Sequence, residues 1–190
     1  SDVYKRQAKN KNIINYIVGS RENLIDKMIS MSHEYDFDST HLLDNMHSCT
    51  PEDAVDILIH GFLKIYNDAK KGNHLVISTG EVQVKVTQSS NSKGGRNQHL
   101  VALFMQKFKS IFHFHFIAIA TDGMDYLEGV HGAFYKSDMR SEIEKNYDFI
   151  QSKIEESNSY AIHKKFGTLI EGNVTGTNMS DFFLFSFTKS

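Results

Sequence analysis

The chain predicts an α/β fold, with a mixed or mostly parallel sheet flanked by helices, on three observations. Apolar runs of strand character alternate with segments of helical periodicity along most of the sequence. The run Ile117-Ala-Ile-Ala120 stops abruptly at Thr121-Asp-Gly-Met-Asp125, the pattern of a buried strand feeding a polar loop. A second run, Phe182 to Phe187, is apolar enough to lie inside a sheet. Ligands of open α/β sheets sit at the carboxyl ends of such strands, which makes Asp122 and Asp125 candidates for chemistry.

Composition narrows the class. Of 190 residues, 40% are hydrophobic, enough for a packed core. A formal net charge of −2, with no stripe of Lys and Arg interleaved with aromatics, argues against a nucleic-acid partner. The single cysteine, Cys49, rules out an intramolecular disulfide and suits a reducing compartment. No apolar run approaches the roughly 18 residues of a membrane span, so the expectation is no membrane partner and a cytoplasmic location. Ser1 to Gln7 are polar, follow no initiator Met and resemble a translated sequencing adaptor; they read as non-native, and the chain as truncated.

Taken in order, Ile13 to Val18 reads as a strand. Ser20 caps a helix with Leu24, Ile25, Met28 and Ile29 on one face. A weak strand falls around Leu42 to Met46. Thr50-Pro51-Glu52-Asp53 is a helix start, combining a capping hydroxyl, proline at the first helical position and early acids. Its apolar stripe is Val55, Leu58, Ile59, Phe62, Leu63 and Tyr66, and Gly72 is expected to end it. Leu75 to Ser78 reads as a buried strand, and Glu81 to Thr87, with alternating valines, as a half-buried one.

A polar loop with paired glycines then leads into a helix from Asn97 to Phe108, and the strand Ile111 to Ala120 follows. Ser141 and Glu144 have the spacing of a capping box for a helix carrying Ile143, Tyr147, Ile150 and Ile154. A shorter helix, Ser159 to Lys165, is closed by Gly167. Leu169 and Ile170 form a short strand before the Thr/Gly/Asn loop that precedes Phe182.

Three loops carry candidate chemistry. In Lys93-Gly-Gly-Arg-Asn-Gln98, glycines allow close backbone approach, and a helix start offers N–H groups and a favourable dipole to phosphate or carboxylate. Arg96 adds a planar fork for either anion. The spacing matches neither a P-loop nor a dinucleotide fingerprint, and a plain structural turn is the alternative. In Thr121 to Asp125, two carboxylates three residues apart can hold magnesium or take a proton from a hydroxyl. Alternatively Asp122-Gly123 makes a tight turn and Asp125 caps a nearby segment. Thr175-Gly-Thr-Asn178, followed by Asp181, can line a polar pocket or simply fill turns.

Among lesser features, His113 and His115 share a strand face and have spacing compatible with metal ligation, but they read better as partly buried structural histidines. Cys49 before a helix start reads as a small residue at a turn; His99 and His131 lie close to the first and second loops and are candidates to join a site, but read better as solvent-facing.

In order and spacing these loops resemble the carboxy-terminal MOFRL domain of two-domain, class II glycerate kinases. The resemblance covers about residues 74 to 188. It rests on Ser78-Thr-Gly-Glu81, Gly94-Gly-Arg-Asn-Gln98, Thr121-Asp-Gly-Met-Asp125, Asn158-Ser-Tyr160 and Thr175-Gly-Thr-Asn178 with Asp181. It implies a MOFRL domain at 73–190, preceded at 8–72 by the tail of a Rossmann-like α/β domain. It also implies phosphoryl transfer from ATP, with Mg2+, to a hydroxyl of D-glycerate or a related sugar acid. Such a fragment is expected to be inactive without the rest of the amino-terminal domain.

Carried over residue by residue, Arg96, Asp122 and Asp125 are the catalytic candidates, with both aspartates as metal ligands. Gly94, Gly95, Asn97, Thr121, Thr175, Gly176, Thr177 and Asn178 line the substrate pocket. A hydroxypyruvate reductase and a non-catalytic sugar-acid-binding module are the alternative readings, and a homodimer is left open as the assembly. The chain departs from the family pattern at Thr79, at His99 where an acid is usual, and through Tyr126-Leu-Glu-Gly-Val-His131 after the second aspartate. That last segment is where a difference in substrate is expected.

Overall fold

The computed structural model describes residues 19–43, 46–47, 49–84 and 92–190. The strand expected at Ile13 to Val18, the Ser1 to Gln7 segment and the end of the Glu81 to Thr87 strand lie outside them. The chain forms helices α1 (Arg21–Ser32), α2 (Pro51–Asp68), α3 (Arg96–Lys107), α4 (Arg140–Lys145), α5 (Tyr147–Glu155) and α6 (Ser159–Phe166). The strands are β1 (Ser39–Leu42), β2 (Met46–His47), β3 (Gly72–Glu81), β4 (Phe114–Ala120), β5 (Met124–Asp125), β6 (Leu127–Glu128), β7 (Val130–Lys136), β8 (Leu169–Glu171) and β9 (Asp181–Lys189).

The sheet runs β1-β3-β9-β4-β7-β8, with β2 also beside β3. It is mixed. Only the β1 and β2 pairings with β3 are parallel, so the mostly parallel option fails. The cause is β9, which returns antiparallel between β3 and β4 and separates two strands that would otherwise be parallel neighbours. Its register sets Asp181 opposite both Gly80 and Ala120. The loops leaving β3 and β4 and the loop entering β9 therefore share one end of the sheet.

Local signals explain most helix ends. The Ser20 hydroxyl accepts from the Asn23 amide at 3.2 Å and the Thr50 hydroxyl from the Asp53 amide at 3.2 Å. The α2 helix ends at Asp68, not at Gly72, which instead opens β3 with a φ of +138°. Asn158 caps α6, and Gly167 closes it in the left-handed region.

The Ser141/Glu144 box does not form. Ser141 lies inside α4, Glu144 accepts from Arg140 Nε at 2.8 Å, and the expected helix breaks at Asn146 into α4 and α5. Strand β7 was not expected, because His131-Gly132 and the terminal Lys136 obscure its apolar alternation; a Cβ on Gly132 would collide with the Ala118 backbone across the ladder.

The core packs α2 and α3 onto one sheet face through aromatics. Phe62 stacks on Phe185 at 4.2 Å and Phe104 on Phe116 at 4.2 Å, with Phe108 and Phe114 edge to face at 4.9 Å. Such pairs add about 0.5–1.5 kcal/mol each beyond area burial. Residues of β1 and α2 share this sheet and core with the segments after residue 72. No described helix is long and apolar enough to cross a membrane.

Candidate functional site

The Gly94-Gly95 turn delivers α3 into the shared end of the sheet. Gly94 has a φ of +137° and packs so closely on Ser159 and Tyr160 that a side chain would clash, while a Cβ on Gly95 would strike Asp125. Both glycines are thus required by packing against their own chain. The helix that follows has no side-chain cap from its own N-cap residue. Asp125, from the next strand end, supplies one instead.

The Asp125 carboxylate, 1% exposed, accepts from the Asn97 and Gln98 amides at 2.9 and 2.8 Å. It also accepts from their side-chain nitrogens at 3.3 and 3.1 Å. Burial pushes its carboxyl up, and these donors pull it back. The N–H groups expected to be free for a ligand anion are therefore occupied by the protein's own carboxylate. Pairing both amide nitrogens with Asp125 leaves the buried oxygens Asn97 Oδ1 and Gln98 Oε1 without partners among the described residues. Asn97, expected to line the pocket, is 1% exposed and faces this knot. Behind it, His163 Nε2–H donates to the Gln98 carbonyl and Nδ1 accepts from the Thr168 hydroxyl, both at 2.7 Å. Burial holds His163 neutral, its pKa lowered to about 4.

Arg96 ties three segments together. Nε and Nη2 donate to the two oxygens of Asp181 at 2.5 and 3.0 Å, and Nη1 donates to Glu81 at 2.9 Å. Asp181 is 1% exposed, and burial pushes its carboxyl up to about 6 although Arg96 pulls it down. The bidentate geometry suits a guanidinium and not an ammonium.

The second and third loops are stitched to each other. The Thr121 hydroxyl donates to the Ser180 carbonyl and accepts from the Met179 amide, both at 2.8 Å. The Thr175 hydroxyl donates to the Thr121 carbonyl at 2.5 Å, and the Thr175 amide to the Asp122 carbonyl at 3.0 Å. Two of the three threonines expected to line the pocket thus engage their hydroxyls in loop contacts. Gly176 turns the loop at a φ of +72°, and Thr177 is exposed. Asp122 is half-buried; one oxygen accepts from the Met124 amide at 2.9 Å, and no other partner of the carboxylate occurs among the described residues.

A pocket of about 770 Å³ opens at this end of the sheet. Gly94, Gly95, Arg96, Asp122, Asp125 and Asn178 reach it, as does His99, which is buried and not solvent-facing as expected. Glu81, Lys93 and Ser159, which stand in the quoted motifs without an assigned role, also line it, as does Tyr126 from the segment where a difference in substrate is expected. Tyr126 is 80% exposed and left-handed at a φ of +66°, a conformation that could have been suspected only from its place in a tight turn.

The two aspartates expected to hold metal differ in placement: Asp122 keeps an oxygen towards the pocket and Asp125 turns its carboxylate to α3. Asp125 spends both oxygens on α3, and among the described residues no group of three or more His, Cys, Asp or Glu side chains gathers. His113 and His115 are exposed, not partly buried. Cys49 is half-buried, and burial pushes its thiol up, away from a reactive thiolate.

With this geometry in place, comparison with known proteins is informative. The description of the MOFRL family matches residues 74–181. The chain belongs to the MOFRL family. This MOFRL chain is 29% identical over 172 residues to a glycerate 2-kinase of Picrophilus torridus, covering 90% of the chain and 38% of the relative. Its fold is that of a Pyrococcus horikoshii OT3 protein (TM-score 0.76, 20% identity, 94% of this chain and 41% of that one). The Thermotoga maritima glycerate kinase is equally similar in fold (TM-score 0.75, 20% identity, 94% of this chain and 42% of that one). The MOFRL chain thus spans about two-fifths of the length of these three proteins.

Proposed function

We propose that the chain forms one wall of the cleft of a cytoplasmic kinase that transfers a phosphoryl group from ATP to a hydroxyl of D-glycerate or a related sugar acid. The supporting observation is the pocket that joins Arg96 and Asp122 in a MOFRL chain similar to a glycerate 2-kinase. In this proposal residues 73–190 are the MOFRL domain and residues 8–72 the tail of the amino-terminal domain, a tail whose β1 and α2 join the same sheet and core, while the opposite wall comes from the rest of that domain. Turnover then belongs to the whole protein.

Phosphoryl transfer depends on positioning and charge more than on covalent chemistry. Arg96 keeps the ends of β3 and β9 together and retains two of its five N–H donors for an anion. The free oxygen of Asp122 accepts the proton of the attacking hydroxyl. Magnesium, when bound, offsets phosphate charge; the carboxylate that fits it is Asp122, because Asp125 is committed to α3. Asp125, Thr121 and Thr175 position the wall and Asn178 edges the pocket, while Thr177, expected to line it, is exposed and outside its lining.

The test is ADP release by the full-length protein given ATP and D-glycerate. Turnover is expected, and Arg96→Ala and Asp122→Asn should each lower kcat/KM by about 100-fold or more. Unchanged turnover in both variants sinks the proposal. A sugar-acid-binding module, favoured by the exposed Tyr126 at the pocket mouth, would instead bind D-glycerate without releasing ADP. A hydroxypyruvate reductase would consume NAD(P)H.

A further inference from the structure

We propose that Lys93 supplies the unpaired cation at which the pocket binds an oxyanion, a sugar-acid carboxylate or a phosphoryl group. This deepens the kinase reading above by naming a binding residue for its anionic substrates.

The pocket wall carries the carboxylates of Glu81, Asp122 and Asp125, so an arriving oxyanion needs a cation that no carboxylate offsets. The wall's two cations among the described residues are Lys93 and Arg96. The Arg96 charge is offset by Asp181 and Glu81, both within hydrogen-bond distance, so an arriving anion meets two carboxylates beside that guanidinium. Lys93 has no such counterpart. Its ammonium lies 4.1 Å from the centre of the Tyr160 ring, and no carboxylate pairs with it among the described residues. The neighbouring segment 85–91 contains no Asp or Glu in its sequence. The nearby Glu156 is taken by Lys153 at 2.6 Å.

The ammonium is also placed. The Lys93 amide donates to the Ser157 carbonyl at 3.2 Å, and its carbonyl accepts from the Tyr160 amide at 3.0 Å, so the backbone is held on both sides regardless of the side chain. The Tyr160 ring, carried on the first turn of α6, attracts the cation through its face without neutralising it. An exposed, unpaired cation parked on an aromatic beside Ser159 and the Gly94 turn is an arrangement that an oxyanion completes.

The test uses Lys93→Met and Lys93→Arg in the full-length protein. Lys93→Met should raise one substrate KM by about 10- to 100-fold, the range of a charge-assisted hydrogen bond, with kcat changed less than about threefold. A rise for D-glycerate identifies a carboxylate site and a rise for ATP a phosphate site. Lys93→Arg should recover most of the loss, and the effect should shrink as salt rises. In a second arm independent of turnover, D-glycerate or inorganic phosphate should raise the wild-type thermal midpoint, and Lys93→Met should abolish that shift. If the wild type binds an anion through Lys93 but releases no ADP, the kinase reading fails and this one stands. Unchanged KM values in Lys93→Met, or no stabilisation of the wild type by either probe, would overturn the proposal.

Discussion

Helix α3 joins two regions of opposite chemistry. At its carboxy-terminal half, Phe104 and Phe108 enter an aromatic cluster in which each ring has several neighbours. At its amino-terminal turn, Asn97 and Gln98 enter a polar knot in which one carboxylate answers four donors and one histidine has a fixed tautomer. Both ends are buried to a similar degree. The aromatic end is held by summed, non-directional contacts that tolerate changes conserving volume, whereas the polar end depends on individual atoms. The pocket opens on the polar end, so the feature that places the site is also sensitive to single-atom change.

Emptying the aromatic end should have the largest effect. Phe104→Ala is expected to cost about 3–5 kcal/mol, and Phe104→Leu much less, because volume and not a directed bond is lost. Equal losses in urea melts of the two variants would break the contrast.

The polar end should show itself through pH. His163 is held neutral with its pKa lowered to about 4 from 6.5, so the unfolded chain binds the extra proton first. Stability from this group is present above pH 6.5 and lost as pH falls towards 4, by up to about 3 kcal/mol. Asp181, raised to about 6, works in the opposite direction: its contribution is present at low pH and lost as pH rises through 6. The test is therefore the difference between wild type and His163→Gln. That difference should narrow on acidification from pH 6.5 to 4, and a constant difference would remove His163 from the account.

The same contrast explains what could be read in the sequence. The capped starts of α1 and α2, the α3 stripe, the closure of α6 at Gly167 and the central Phe182 to Phe187 strand are local or periodic patterns, and they were legible. The β7 strand was not, because a glycine needed for close approach to Ala118 interrupts its pattern. The Ser141/Glu144 pair failed because that spacing arises readily inside a helix. In the site, Arg96 and Asp122 were candidates from loop chemistry together with the resemblance, and both line the pocket. The division of labour within Asp122 and Asp125 could not, since Asp125 caps residues 27 and 28 positions away. Lys93 was visible only as a neighbour of glycines, and its lack of a counter-charge among the described residues is a property of three-dimensional packing.

That division between the two aspartates is the central claim, and urea unfolding of Asp125→Asn beside Asp122→Asn tests it most directly. Replacing one Asp125 oxygen with an NH2 group sets donor against donor in a buried site and should cost about 2–4 kcal/mol. Asp122→Asn keeps the oxygen that accepts from Met124 and should cost below about 1 kcal/mol. Equal losses, or a larger loss at Asp122, would contradict the assignment of Asp125 to the scaffold and Asp122 to the pocket.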